Sequence, residues 1–346
     1  MGNDAPEKDK IERKMKDSPK IVGLLCLLLF GLSLPSNAQV SDELDLNNGL
    51  IGHYPLNGTT LDKTGNGNDL TPTRTEEIFG FDRNVRPLKA ALLSYDNLSL
   101  NKNVDILVGN TDFTISLWAR LDGSVKEGSS KILFANDTIN GFELSLSNWK
   151  QGQPVPEFYI GGRLELGKIL GSNSFAMKLD YWHHIILIRK GETVTLMLNN
   201  QPVAESNTNL PINGKGIFFG GREQKKSGEQ NANSWRGGLD EIRIYGRALN
   251  EAELSALHQL EKPEDADGDT LTNWDEVFIY RTNMERIDTD GDLLNDGIEL
   301  NVLNTNPLKL DSDDNDIHDG KEDADADGLQ NAIEINLIGS SALIAD

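Results

Sequence analysis

A chain of 346 residues with 33 basic and 55 acidic side chains, a formal net charge of −22 at pH 7, lacks the basic surface needed to neutralise nucleic-acid phosphates. The excess is local: 24 acidic and 5 basic residues lie from Glu261 onward, and the part before Glu261 is nearly neutral. The length holds one large domain plus smaller units, and the single cysteine excludes an intrachain disulfide.

The N-terminal part reads as a targeting segment. Lys20 precedes a largely apolar run from Ile21 to Leu34, and Ser36 and Ala38 supply small residues at the −3 and −1 positions of a cleavage site. Residues 1–38 are therefore expected to be a signal peptide, and the mature protein to be exported to the extracellular space, the bacterial cell surface or the periplasm. The run is shorter than the ~20 residues of a spanning helix, which argues against a permanent membrane span. Met1 to Lys20 is long for the polar start of such a segment, so Met15 is an alternative start. Cys26 lies inside the apolar run and leaves with it, which makes bound cations the available staple for an exported chain without disulfides.

After a polar lead at 39–48, apolar and polar residues alternate in short runs separated by Gly, Asn, Asp and Ser. Strands are expected at Leu50 to Leu56, Phe113 to Leu121, Lys131 to Ala135, Phe142 to Leu146, His184 to Arg189, Thr193 to Leu198, Gly216 to Phe219 and Leu239 to Tyr245. Their close spacing, with no long 3.6-residue period, predicts an all-β antiparallel sandwich with a sizeable core. A helix follows: Asn250 with Glu253 forms a capping-box pattern, and Leu254, Leu257 and Leu260 make one apolar stripe. Residues 260–264, with Pro263, read as a linker.

The last quarter of the chain repeats one acidic loop four times. The loops begin at Asp265, Asp288, Asp311 and Asp323, the first three at 23-residue intervals. Oxygen side chains recur at loop positions 1, 3, 5, 9 and 12. They are Asp265, Asp267, Asp269, Asn273 and Glu276; then Asp288, Asp290, Asp292, Asp296 and Glu299; then Asp311, Asp313, Asn315, Asp319 and Glu322; and finally Asp323, Asp325, Asp327, Asn331 and Glu334. Ca²⁺ takes six to eight oxygens, which alternate short carboxylates, a backbone carbonyl and a closing Glu can supply. Position 7 is apolar every time (Leu271, Leu294, Ile317, Leu329), as expected if its carbonyl faces the ion and its side chain a core. A solvated acidic tail would not place its acids in phase. Position 6 is Thr270, Leu293 and Asp316 before Gly328 in the fourth loop, which departs from a helix–loop–helix EF-hand. The third loop, with Asp314 at position 4 and Asn315 at position 5, ranks last as a cation site. The closing Glu is followed 12 residues later by an in-phase Asp at Glu276 to Asp288, Glu299 to Asp311 and Glu334 to Asp346, so Asp346 falls where another loop would begin.

Two resemblances emerge from these residues. Gly49 to Gly58, Leu61 to Asp69, Phe113 to Trp118, Tyr181 to Ile185 and Gly238 to Leu249 resemble, in order, laminin-G-like, concanavalin A-like jelly-roll domains, covering about residues 49–259. This resemblance implies two packed, curved antiparallel sheets, in a family that mostly binds carbohydrate or other surface ligands and includes some hydrolases. The acidic loops over 265–346, with Thr282-Asn283 and Thr305-Asn306-Pro307 in two spacers, resemble bacterial thrombospondin type 3 repeats, which wrap Ca²⁺ along a chain with little core of its own.

Catalytic patterns are weak by comparison. A retaining glycosidase needs two carboxylates about 5 Å apart, yet the sandwich contains no Glu-x-Asp-x-x-Glu run, and Glu143, Glu157 and Glu165 each stand alone on their strands. His183 and His184 sit at a strand start and read as structural. Asp62, Asn66 and Asp69, with Asp240 approaching from the last strand, are either a second cation site or an Asx-turn loop. Trp149, Tyr159 and Trp235 are candidate ligand platforms, since sugars stack on aromatic faces; Trp118 and Trp182 fall in the strand pattern and read as core. The expectation is an exported, calcium-binding, non-catalytic recognition protein that binds carbohydrate or another cell-surface ligand through the jelly roll, carried on a calcium-stiffened stalk. Its rivals are a polysaccharide hydrolase, or an ancillary module of one, and a structural adhesin or spacer that binds protein.

Overall fold

The computed structural model describes residues 44–346 apart from 74–77, 95–96, 101–108, 130, 137–140, 161–167, 172–175, 213–215, 223–232 and 346. The expected signal peptide, Glu165 and Asp346 lie outside the described residues. Residues 44–346 cluster as one compact unit.

Alternation builds two sheets. The eight-stranded sheet runs, from one edge, Gln201–Asn207, Thr193–Leu198, Trp182–Lys190, Phe113–Leu121, Arg236–Tyr245, Ala90–Ser94 and Phe79–Gly80, and Leu50–Tyr54 also pairs with Arg236–Tyr245. The seven-stranded sheet runs Lys168–Gly171, Gln153–Ile160, Phe142–Lys150, Lys131–Ala135, Ile217–Phe219, Leu98–Leu100 and Thr71–Pro72. The strands in each sheet pair antiparallel. The expected strands at Phe113–Leu121, Lys131–Ala135 and Thr193–Leu198 form over those same residues. Ile115, Leu117, Leu144, Phe158, Ile185, Leu187, Leu196 and Phe219 meet between the sheets in one buried cluster. The result is an all-β, two-sheet jelly-roll-like sandwich.

The strand Trp182–Lys190 is buried on both faces. Its odd residues, Ile185 and Leu187, enter the inter-sheet core, and its even residues, His184, Ile186 and Ile188, lie under other elements. That explains a near-continuous apolar run where a one-sided strand would alternate. The helix Glu251–Glu261 supplies part of the cover. Asn250 accepts from Glu253 N and Glu253 reaches back to Asn250 N, so the expected capping box is made. Leu254 and Leu257 pack on Ile186, Ile188 and Tyr245.

The third member of the expected stripe differs. Leu260 is 66% exposed, and Glu261 turns inward instead. Arg243 Nε donates to the Glu261 carboxylate, and Arg83 Nε donates to the Glu261 carbonyl. Arg83 also pairs with the buried Asp240 and stacks on Trp118, 5.3 Å from the ring centre. Burial pushes the Glu261 carboxyl up to about 7, against the pull of Arg243. The segment 260–264, read as a linker, therefore begins inside the helix, and Glu264 N then donates to Asn84 Oδ1 at 2.9 Å. A buried ion pair broken on one side leaves its partner's charge uncompensated. Glu261→Ala is expected to destabilise the protein by about 3–5 kcal/mol in chemical denaturation, and a loss under 1 kcal/mol would show that the helix end is not a structural anchor.

Candidate metal centre

Each acidic loop folds by the same backbone logic. The position 1 carboxylate accepts from two amides, as in Asp265 from Gly268 N and Thr270 N, Asp288 from Gly291 N and Leu293 N, and Asp323 from Asp327 N and Gly328 N. The position 5 side chain accepts from the position 7 amide in all four loops. The residue before each loop accepts from the position 9 amide, again in all four. To make these turns, positions 4 and 6 adopt positive φ throughout, including Thr270 at 84° and Leu293 at 88°. A β-branched or branched side chain is rarely held there, and such outliers persist only where surrounding structure over-determines them. No EF-hand follows: after loops one, two and four the chain enters short π-helical turns at Asp275–Tyr280, Glu299–Leu303 and Glu334–Ile338.

Three loops gather their position 1, 3 and 5 carboxylates into clusters with ligand atoms within 4.8 Å: Asp265, Asp267 and Asp269; Asp288, Asp290 and Asp292; Asp323, Asp325 and Asp327. Two further clusters span neighbouring loops. Asp269 and Glu276 of the first loop meet Asp296 of the second, and Asp292 and Glu299 of the second meet Asp319 of the third, with every member buried. The position 9 acids, read from spacing as ligands within their own loops, thus face the preceding loop. Their other contacts stay local: Asp296 accepts from Thr289 N and Oγ1, and Asp319 from Ser312 N and Oγ. Asn273 and Asn331 likewise accept from Ala266 N and Ala324 N.

The spacer residues orient the closing acids. Thr282 Oγ1 donates to Glu276 Oε1 at 3.4 Å and Thr305 Oγ1 to Glu299 Oε1 at 3.2 Å, while Asn283 N and Asn306 N donate to the position 2 hydroxyls of Thr289 and Ser312. The other oxygens are left over. Glu276 Oε2, Glu299 Oε2, Asp267 Oδ2, Asp290 Oδ2 and Asp325 Oδ2 are buried without a hydrogen-bond donor. A buried unpartnered carboxylate oxygen is costly, and these five repeat at equivalent loop positions. Burial first, then the charges of Asp267, Asp269 and Asp296, pushes the Glu276 carboxyl up to about 8; burial, then Asp290 and Asp292, pushes Glu299 up to about 9. Burial is also the main cause that raises Asp269 to about 6.

The third loop is built differently. Asn315 Nδ2 donates to Glu322 Oε1 at 2.6 Å, so its closing acid is satisfied by an amide, and Asp311, Asp313, Asn315 and Glu322 are in none of the clusters. Ile317, expected to face a core, is 48% exposed, whereas Leu271 and Leu294 are buried. The fourth loop starts immediately after Glu322, without a spacer between them.

The other candidates separate. Asp62 accepts from His53 N, Thr64 N and Asn68 N, and Asp69 accepts from Asp62 N. Asn66 donates to the Ile51 carbonyl, so the turn from Asp62 to Asp69 closes on itself as an Asx-type loop, and Asp240 pairs with Arg83. Trp235 is fully buried and packs in the inter-sheet core, which corrects its reading as a ligand platform. Trp149 packs partly against the same core and donates to the Ser129 carbonyl. Tyr159 donates to Glu157, and Glu143 on the neighbouring strand pairs with Arg222. The pairs Glu143–Tyr159 and Ser145–Glu157 set these two acids as diagonal neighbours on one face, a juxtaposition that sequence could not show because it depends on register. Ser116 Oγ lies 2.8 Å from His184 Nε2, but both residues are fully buried and His184 Nδ1 faces His258, so the pair is part of the packing.

The family model described as the concanavalin A-like lectin/glucanases superfamily, of laminin-G type, matches residues 94–255. Over those residues the sandwich is similar to that superfamily. No curated protein matches the chain in sequence. Among solved structures, the chain is similar to the binding domain of Paraclostridial Mosquitocidal Protein 1, at 22% identity and a TM-score of 0.48, over 62% of this chain and 52% of that one. It is also similar to domain 4 of AbnA, a GH43 extracellular arabinanase from Geobacillus stearothermophilus, in complex with arabinotriose, at 17% identity and a TM-score of 0.43, over 61% of this chain and 98% of that one. A third is the botulinum neurotoxin serotype C1 binding domain, at 13% identity and a TM-score of 0.46, over 62% and 53%. The match thus spans about half of the mosquitocidal binding domain.

The junction between loops depends on glycine. Gly297 N donates to Asp269 Oδ2 and Gly320 N to Asp292 Oδ2, and a Cβ on either would lie 2.0 Å and 2.4 Å from the Asp269 and Asp292 carbonyl oxygens. Gly297→Ala is expected to cost the repeat array about 1–3 kcal/mol or more, as overpacking against fixed backbone does. The fourth loop already carries Ala332 at the same position, and Ala332→Gly serves as the control, at about 1 kcal/mol. Equal small effects for both substitutions in urea denaturation would contradict the packed junction.

Proposed function

We propose that this chain is an exported, calcium-dependent recognition protein without catalytic chemistry. In this reading the jelly roll presents the ligand site, for carbohydrate or another cell-surface ligand, and the acidic repeats form a calcium-ordered array docked on it. The observation that carries the calcium reading is the set of buried, donorless carboxylate oxygens at equivalent positions of successive loops. The donors are all oxygens, which suits a hard cation. When bound, the ion supplies the positive charge these clusters lack, and its binding free energy becomes folding free energy. Asp265, Asp267 and Asp269 would hold one ion, with Asp269, Glu276 and Asp296 beside it; Asp288, Asp290 and Asp292, with Glu299 and Asp319, repeat the pair. Asp323, Asp325 and Asp327 would hold another.

The family match over 94–255 supports recognition by the sandwich, and the apolar run before Ser36 supports export. Among the described residues, no helix is long and apolar enough to cross a membrane.

The arrangement of loops makes a discriminating prediction. In calorimetric titration of chelator-stripped protein, Glu299→Gln should weaken calcium binding at least about tenfold at the tightest affected step, by analogy with the loss of metal-orienting partners, whereas Glu322→Gln should leave the isotherm unchanged. Equal effects would contradict the reading. For recognition, a glycan array probed with and without chelator should show calcium-dependent binding without new reducing ends. Turnover of the glycan would favour a hydrolase instead.

A further inference from the structure

The first repeat does more than bind to its neighbours. Trp274, at position 10 of the first loop where the second and third loops carry glycine, leaves the repeat and docks on the sandwich. Its indole Nε1 donates to the Asp180 carbonyl at 2.9 Å, and its ring meets Trp182 edge to face at 5.8 Å and 86°. Phe278, from the π-helical turn that follows, lies 4.2 Å from the Trp274 ring centre, and Phe81 of the sandwich lies 5.9 Å from Phe278. Between sandwich and repeat, Trp274, Phe278 and Phe81 line a cleft of about 330 Å³, together with Leu92, Arg120 and Asp180. Phe81 and Leu92 are 43% and 39% exposed, so the mouth is open.

Arg120 gives the cleft a charge. Its guanidinium lies over Trp274 at 4.9 Å and over Trp182 at 5.9 Å. Its carboxylate partner, Asp180, is at a long 3.4 Å, is half exposed, and already accepts from Gly123 N. Arg120 Nε is buried without an acceptor. A guanidinium has five donors in a planar fork and is commonly matched by a carboxylate in bidentate geometry. The wall therefore offers flat aromatic faces, an incompletely paired cation and, in Asp180, an acceptor for hydroxyl groups.

The geometry points to this cleft as a binding site for an acidic pyranose, a uronic acid residue of a glycan, whose ring stacks on Phe81 and Phe278 while its carboxylate meets Arg120. A neutral sugar would leave the arginine fork unmatched, and a plain hydrocarbon would leave both Arg120 and Asp180 so. Trp274 lies between Asn273 and Glu276, and Phe278 two residues beyond Glu276, so half of the wall belongs to the first acidic loop. Binding at this cleft is consequently calcium-dependent even though the sugar touches no ion. This deepens the recognition reading above and rests on it.

The test uses the full mature chain with methyl β-D-glucuronide and methyl β-D-glucoside as probes, following the Trp274 indole N–H resonance by NMR. Expected is a saturable shift with the glucuronide in calcium, a much weaker response to the glucoside, and loss of the response in chelator. Phe81→Ala, at an exposed position that leaves the fold intact, should weaken binding by about tenfold, the order of one lost aromatic stack. Arg120→Gln should erase the preference for the acidic sugar. A calcium-loaded protein that binds glycans on an array but whose Trp274 resonance and Phe81→Ala variant are indifferent to the glucuronide overturns the cleft and leaves recognition elsewhere standing. Absence of any glycan binding overturns both.

Discussion

Carboxylates that are buried and close together must be compensated, and the C-terminal part of this protein is organised around that constraint. Within one loop, a backbone amide takes one oxygen of the position 3 acid, Asp267, Asp290 or Asp325, and leaves the other buried without a donor. Between loops, Asp296 and Asp319 bring further negative charge to buried pairs that already hold Glu276 with Asp269 and Glu299 with Asp292. No described Lys or Arg ion-pairs with these clusters; the nearest such contact in the array is Lys309 with Asp314, outside them. In the proposed reading a cation supplies the compensation, and because Asp296 and Asp319 join clusters of the preceding loop, neighbouring repeats share it.

The repeat array and the helix before it are tied to the sandwich. Glu261 plugs the outer face of the eight-stranded sheet through Arg83 and Arg243, and Trp274 covers Trp182. The same outer face carries Trp118 stacked on His184 at 4.9 Å, with His258 of the helix stacked on both. A sheet face that would otherwise be solvated is sealed by the elements that follow it in sequence. The first repeat is docked on the sandwich through Trp274.

Much of this was legible in the sequence. Alternation located the strands of the sandwich, and Asn250 with Glu253 placed the helix start, because both signals are local. The loop phase located the acids, and Asn315 already marked the third loop as the odd one. What escaped was everything set by register between segments. Asp296 and Asp319 belong to the preceding loop because Gly297 and Gly320 let two backbones touch 28 residues apart, and a spacing count within one loop cannot see that. Trp235 was misplaced for the same reason: it is defined by the inter-sheet core that packs on it, just as the pairing of Asp240 with Arg83 depends on segments far apart in sequence. The Thr282 and Thr305 spacers were visible as a repeat, but their role in holding Glu276 and Glu299 needed coordinates.

The account rests on cation-dependent order that passes from loop to loop and onto the sandwich. Hydrogen exchange of the full mature chain, with calcium and after chelation, measures this directly. The account predicts that chelation strips protection from the loops between 265 and 334 together, and also from the amides around Asp180 and Trp182 beneath Trp274, while the inter-sheet strands at Phe113–Leu121 and Thr193–Leu198 keep theirs. Unchanged protection of the loops on chelation would contradict it.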